Sequence, residues 1–253
     1  MSLPRIMVAP NGARRGKADH PALPVTIPEI VACAAECFAA GADGIHAHVR
    51  DGQGQHVLDA GLYRELIAEM SRAVPGMAVQ ITTEAVGRYS PAEQRALVAA
   101  VQPAMVSVAL REIMSESDLH LTRAFFHGCA EAGIAVQHIL YAPEEVDWLA
   151  ALQADGIIPT GQLQLIHVLG RYTAGQTSAP ADLDAPLARQ RALGPAVDWA
   201  VCAFGPAETD CLVAADRQGG KSRIGFENNL LNADGRPAIS NADRVRELVG
   251  CLD

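Results

Sequence analysis

Short runs rich in Val, Ile and Leu alternate along the chain with longer runs in which apolar residues recur every three to four positions. The first pattern fits parallel strands buried on both faces, and the second fits amphipathic helices that cover them. Eight such pairs can be drawn. Strands are expected over 5–9, 44–49, 78–83, 105–109, 134–140, 163–168, 199–203 and 222–226. Helices are expected over roughly 26–40, 61–73, 91–101, 115–132, 143–154, 181–193, 206–217 and 241–250. Punctuation supports several of these. Thr26 with Glu29 has the spacing of a capping box, and Ser90-Pro91 offers an N-cap followed by proline in the first turn. Gly41 and Gly133 stand where helices should stop. Eight strand–helix units without a visible linker predict an α/β fold, a single (β/α)8 barrel spanning residues 1–253. An open doubly wound sheet is the alternative, but no GxGxxG follows the first strand.

Composition agrees with a barrel. The chain has 253 residues, 49% hydrophobic but only 4% aromatic, so its core must be aliphatic. The net charge of −9 comes with no basic or aromatic–basic strip, which argues against nucleic-acid binding. Six cysteines at 33, 37, 129, 202, 211 and 251 form no CxxC pair and read as small buried hydrophobes in a reducing compartment. No leader-like apolar run opens the chain and no stretch of about 18 apolar residues could span a bilayer. A cytoplasmic protein is expected.

In such a barrel the chemistry sits at the C-terminal ends of the strands, and alternation says which residues face in. Along GIHAHVRD, Ile45, Ala47 and Val49 belong on the helix side, while His46, His48 and Arg50 look into the mouth. Two imidazoles at i and i+2 can hold one divalent cation, zinc above all, with a position left open for substrate. Buried without a ligand, the same pair would be costly. The run RIGFENN splits in the same way, with Ile224 and Phe226 outward and Arg223, Gly225 and Glu227 inward. Strand eight of a closed barrel lies beside strand one, with strand two just beyond, so Glu227 can reach the same metal. Gly225 would let a ligand approach the backbone. Arg223, deeper, could pair with Glu227 or with a substrate carboxylate. Strand three turns Gln80, Thr82 and Glu84 inward, and strand four Ser107, Ala109 and Arg111. Thr82 and Ser107 are candidate donors to a substrate carboxylate. Glu84 is a candidate base or support for a metal ligand, unless it pairs with Arg111.

His138 and His167 fall on strands five and six, and alternation leaves open whether Gln137 or His138 faces inward. Histidines there would suit a metal-dependent hydrolase of the amidohydrolase type. That type carries its HxH on the first strand and an Asp at the end of the eighth, whereas here the pair is on strand two and Glu227–Asn228 occupy that end. The turn-rich segment 171–181, RYTAGQTSAPA, follows strand six and is expected at the mouth.

Taken together, NGARRGKADHPALPVT, GADGIHAHVRD, QITTEAVG, LIHVLG, WAVCAFG and GGKSRIGFENN resemble the zinc-dependent β-keto acid cleavage enzymes over nearly the whole chain. The resemblance implies a TIM barrel and Zn2+ held by His46, His48 and Glu227. It also implies acetyl-CoA as co-substrate and, commonly, a homotetramer. The implied reaction converts a β-keto acid and acetyl-CoA into acetoacetate and a new acyl-CoA, with zinc stabilising enolate charge. Arg223 matches the family's arginine beside the base, and Thr82 and Ser107 match hydroxyl positions that bind substrate. Two positions depart from the family pattern. Asn228 stands where the base is an Asp, and an amide cannot take the proton. Arg14 stands where an acidic residue helps to recognise an amino group, so a cationic substrate is disfavoured. Glu84, where the family motif has Gly, is then the candidate replacement base. The alternatives are a metal-dependent hydrolase or aldolase-like lyase that does not use CoA, and a catalytically altered homologue that keeps the metal pocket without the base.

Overall fold

In the computed structural model eight parallel strands close into a barrel in the order β1 to β8, with helices between consecutive strands. The structure describes residues 1–116, 118–161 and 163–252. The strands are β1 Ile6–Val8, β2 Gly44–Ala47, β3 Ala78–Thr82, β4 Met105–Ala109, β5 Ala135–Leu140, β6 Leu163–Leu169, β7 Val197–Ala203 and β8 Lys221–Ile224. The helices are α1 Ile27–Ala39, α2 Ala60–Ala73, α3 Pro91–Val101, α4 Leu110–Ile113, α5 Leu119–Glu131, α6 Pro143–Ala154, α7 Asp184–Gln190, α8 Glu208–Asp216 and α9 Asn241–Cys251.

The capping signals act as expected. Thr26 Oγ1 accepts from the Glu29 amide at 3.4 Å while Glu29 Oε2 accepts from the Thr26 amide at 3.0 Å, and Ser90 and Glu93 exchange the same pair of bonds. Two expected helices differ in extent. The one expected over 115–132 forms as α5 and starts only at Leu119, where Asp118 caps it with its carboxylate accepting from the His120 amide, and the short α4 precedes it. The span 181–193 becomes α7 flanked by the single turns Pro180–Leu183 and Arg191–Leu193. No helix among the described residues is long and apolar enough to cross a membrane.

Strand alternation builds two concentric cores. Ile45, Ala47, Val49, Ile81, Val106, Val108, Leu165 and Ile224 face the helices. Met7, Met105, Ala109, Ile139, Ile166, Val168, Ala200 and Cys202 fill the barrel interior. On β5 this settles the open question: Gln137 shares the inward face of Ile139, and His138 packs outward with its ring 5.1 Å from Phe126. His167 also faces the helices, its Nε2 bonded to Gln190 Oε1 at 2.7 Å. Neither histidine can reach a metal in the mouth, which removes the support they lent to an amidohydrolase-like site. Arg111 does not continue β4 inward either. It lies in α4, paired with Glu145 at 2.7 Å and stacked over Tyr141 and Tyr172.

Closure between β8 and β1 continues past the strands. The Ala9 amide donates to Ile224 O at 2.7 Å, and the Glu227 amide donates to Ala9 O at 3.1 Å. Gly225 sits at φ +144°, and a Cβ there would collide with Ala9 O. The glycine therefore serves the close approach of β1, and the room it leaves is taken by protein backbone, not ligand.

Behind β8 lies a fully buried ion pair, Arg244 Nη2 to Glu208 Oε2 at 2.8 Å, with further bonds from Arg244 to Thr209 Oγ1 and Glu247. Burial raises the Glu208 pKa and the Arg244 charge opposes that rise. Removing the cation strands the carboxylate in the core. Arg244→Ala should therefore lose about 3–5 kcal/mol of stability, measured by urea unfolding; a loss below about 1 kcal/mol, the scale of an exposed pair, would contradict it.

Candidate metal centre and active-site cavity

At the C-terminal mouth of the barrel is a cavity of about 170 Å3 whose floor holds His46, His48, Thr82, Arg223 and Glu227. His46 is on β2, and His48 lies one residue beyond its end, held there by Asn11. Asn11 Nδ2 donates to His48 O at 2.9 Å and its Oδ1 accepts from the His48 amide at 3.3 Å. Glu227 is the third residue after β8, placed by its amide bond to Ala9. Gly12 completes the fit, since a side chain there would collide with Glu227 Cγ.

The two Nε2 atoms point at each other 3.2 Å apart. Glu227 Oε2 lies 3.8 Å from His46 Nε2, and Oε1 lies 3.6 Å from His48 Nε2. Donor atoms of all three residues fall within 4.8 Å of one another.

The surrounding hydrogen bonds decide where the protons are. His46 Nδ1 meets Gln80 Oε1 at 2.8 Å, Gln80 Nε2 donates to Gln137 Oε1 at 3.0 Å, and Gln137 Nε2 donates to Leu165 O at 3.1 Å. Both amides are thus oriented by a main-chain acceptor, so His46 must donate from Nδ1 and keep a lone pair on Nε2. For His48 the chain runs through His56. His56 Nε2 meets Glu84 O at 3.0 Å, which leaves its Nδ1 to accept from His48 Nδ1 at 3.4 Å. Burial first, and then the neighbouring His48, lower the His56 pKa to about 3, so it stays neutral and able to accept. Burial, and then the Arg223 charge, push His46 well below its usual range. For Glu227, burial alone would raise the pKa, but the Arg223 charge overcomes it and holds the group ionised.

Three lone-pair donors therefore converge with no proton among them, and Glu227 Oε2 is buried with no hydrogen-bond partner. Such an arrangement repels itself unless a cation lies between the donors. Two imidazoles and a carboxylate suit a divalent transition metal, and they leave the cavity side open.

The remaining expected residues divide. Glu84, half-buried, lines the cavity with Oε2 3.8 Å from His48 Nδ1 and makes no ion pair with Arg111. Thr82 Oγ1 accepts from the Glu84 amide at 3.0 Å and keeps its own hydroxyl proton to donate. Arg223 is buried, with Nε and Nη1 unpartnered and only a 3.5 Å contact from Nη2 to Cys202 Sγ. Arg14 is exposed at the rim. Ser107 faces inward beside Thr82, but it does not line the cavity and its hydroxyl is buried without a partner. Gly225 and Asn228 lie behind the cavity wall. The Asn228 amide donates to Glu208 Oε1 at 3.1 Å and to Arg223 O at 3.2 Å, so it braces β8 and does not point at substrate. Gln137 and His56 are supports that the sequence pattern does not single out. The β2–β3 register, His46 opposite Gln80, accounts for Gln80 but not for Gln137 on β5, and nothing local marks His56.

A family model described as beta-keto acid cleavage enzyme matches residues 5–253. A 3-keto-5-aminohexanoate cleavage enzyme of Fusobacterium nucleatum is 28% identical over 96% of this chain and 89% of its own length. A 3-oxoadipate:acetyl-CoA acetyltransferase of Cupriavidus necator is 24% identical over 98% of this chain and 88% of its own. Among solved structures, ObcA in binary complex with oxaloacetate superposes with a TM-score of 0.75 at 18% identity, covering 91% of this chain. The chain spans 63% of that structure's length, and the likeness is one of fold.

The amide chain carries a prediction. Gln80→Leu removes the acceptor that fixes the His46 tautomer, and affinity for zinc, read by chelator competition, should fall roughly 10- to 100-fold. An unchanged affinity in a folded Gln80→Leu protein would show that the amides do not orient the ligand.

Proposed function

The chain belongs to the beta-keto acid cleavage enzyme family, a family of carbon–carbon-cleaving, acyl-transferring enzymes, and on that premise we propose that it converts a β-keto acid and acetyl-CoA into acetoacetate and a new acyl-CoA. The observation that carries this reading is the convergence of the three proton-free donors His46, His48 and Glu227 in one cavity with Glu84 and Arg223. Zinc held by the three would supply a Lewis acid for the keto oxygen.

The chain's own residues supply the rest. Buried Arg223 has unpartnered N–H donors at Nε and Nη1 to offer the carboxylate of the keto acid. The Thr82 hydroxyl donates to the same substrate and limits its rotation. Glu84 is the base: among the described residues that line the cavity the only other carboxylate is Glu227, which belongs to the donor triad. It takes the proton from the carbon between the keto group and the carboxylate. The resulting carbanion attacks the thioester carbonyl of acetyl-CoA, and the CoA thiolate moves to the keto carbon. The bond between the former α-carbon and the keto carbon then breaks, and the α-carbon leaves in acetoacetate after taking back the proton held by Glu84. The name of the Cupriavidus relative, which contains acetyl-CoA, supports that co-substrate. Asn228 takes no part in proton transfer, being committed to Glu208 and the β8 backbone.

Zinc-loaded protein given a panel of β-keto acids with acetyl-CoA should form acetoacetate, and consumption of keto acid without acetyl-CoA would overturn the acyl-transfer reading. Glu84→Gln should lower kcat by about 10²–10⁴ with little change in the KM for acetyl-CoA. If Glu84→Gln turns over as fast as the wild type, the base lies elsewhere.

A further inference from the structure

The cavity carries more positive charge than this reaction uses. The chain as a whole has a net charge of −9, yet Arg14, Arg15, Arg171 and Arg223 line the cavity against two carboxylates, Glu84 and Glu227. Glu227 belongs to the donor triad, and the resident metal would add further positive charge. Arg223 lies at the floor, where the reacting carboxylate is expected. Arg15 is spent on main chain, donating from Nη1 to Phe226 O at 2.5 Å and from Nη2 to Asn228 O at 3.5 Å. Arg14 and Arg171 remain. Neither side chain has an acidic partner among the described residues.

These two guanidiniums sit on loops that are built rather than loose. The loop carrying Arg171 is closed by Thr173 Oγ1, which donates to Thr177 O at 2.7 Å and accepts from the Thr177 amide at 2.9 Å. Ser178 Oγ pins the loop to Phe204 O at 2.8 Å. Gly170 and Gly205 both have positive φ, and a Cβ on either would strike the facing main chain, so the loop is seated tightly against the end of β7. Arg171 itself lies over the Phe204 ring, 5.1 Å from its centroid, and so toward the cavity. On the opposite wall, Arg50 clamps the loop after β1 by donating to Asn11 O, Gly12 O and Arg15 O, which fixes the segment that carries Arg14. Burial lowers the Arg15 pKa, the nearby Glu208, Asp19 and Glu227 oppose this, and the Arg171 charge adds to the lowering, so the two loops bring like charges within electrostatic reach of each other. Like charges held by rigid loops across a mouth invite an anion between them.

We propose that the β-keto acid carries a second anionic group, a carboxylate at the end remote from the keto carbon, and that Arg14 and Arg171 receive it at the rim. The proposal rests on the acyl-transfer reading for the identity of the substrate, but the anion site itself does not. Arg223 holds the reacting end and the rim pair holds the other. The substrate class is then a dicarboxylate, and a neutral or cationic tail would leave the rim guanidiniums unneutralised.

Two non-reacting acids of equal length test the site directly. Adipate and hexanoate are titrated against zinc-loaded wild type, Arg171→Ala and Arg171→Lys, with thermal unfolding as the readout. Adipate should stabilise the wild type at roughly 10- to 100-fold lower concentration than hexanoate, Arg171→Ala should lose that advantage, and Arg171→Lys should keep part of it. Equal responses to the two acids, or an adipate preference that survives in Arg171→Ala, would overturn the site. Turnover then separates the two possible sources of the anion. With β-keto acids ending in carboxylate, methyl or ammonium, Arg171→Ala should raise KM for the carboxylate-ended compound alone. A rise confined to the KM for acetyl-CoA would assign the arginines to CoA phosphates and overturn the dicarboxylate class. If no keto acid turns over, the proposed reaction fails, while the adipate titration still decides the anion site.

Discussion

Closure of the sheet between β8 and β1 is the constraint on which the rest of the site depends. Ala9 accepts from the Glu227 amide with its carbonyl and donates its own amide to Ile224. One residue at the end of the first strand thus places a carboxylate contributed by the last. Gly225 allows the approach because it has no Cβ to strike Ala9 O, and Gly12 leaves the space that the Glu227 side chain occupies. Ligands from the two ends of the chain then meet over one cavity without any flexible element between them. Such rigidity suits a metal centre, whose donors must be in place before the ion arrives.

Around this seam the buried polar groups are arranged by direction. The chain from Leu165 O through Gln137 and Gln80 to His46 runs one way, because each amide has only one orientation that satisfies its neighbours. The result is an imidazole that can only present a lone pair to the cavity. Neutral His56 does the same for His48 through a backbone acceptor on the β3 loop. That loop also presents Glu84, so one short segment both supports a donor and carries the candidate base. Behind β8, Glu208 takes Asn228 on one oxygen and Arg244 on the other. A carboxylate at position 228 would face the Glu208 carboxylate there, which gives the asparagine a structural reason of its own.

Much of this is legible in the amino-acid sequence. Eight alternating units, the inward set His46, His48, Arg223 and Glu227, and the outward set Ile45, Ala47, Ile224 and Phe226 follow from strand periodicity. Side chains of a strand must alternate, and eight strands with intervening helices have few ways to bury both faces. Periodicity holds for His48 and Glu227 just beyond their strands, but it fails at Arg111, because the chain after β4 turns at once into a helix that carries Arg111 toward Glu145 and the tyrosines. Depth is also invisible to it. Ser107 and Thr82 share a face and a register, yet only Thr82 reaches the cavity.

The sequence by itself determined the class of fold, the donor set and the absence of an acid at position 228, because these depend on residue identity and on a repeat set by local backbone geometry. Only the tertiary structure decided that Gln137 and His56 set the tautomers, that Gly225 serves β1 and not a ligand, that Asn228 braces Glu208, and that Arg171 turns inward over Phe204. Each of these is a contact between segments distant in the chain. Its existence depends on how loops lie across a closed barrel, and no local pattern of hydrophobic and polar residues encodes that.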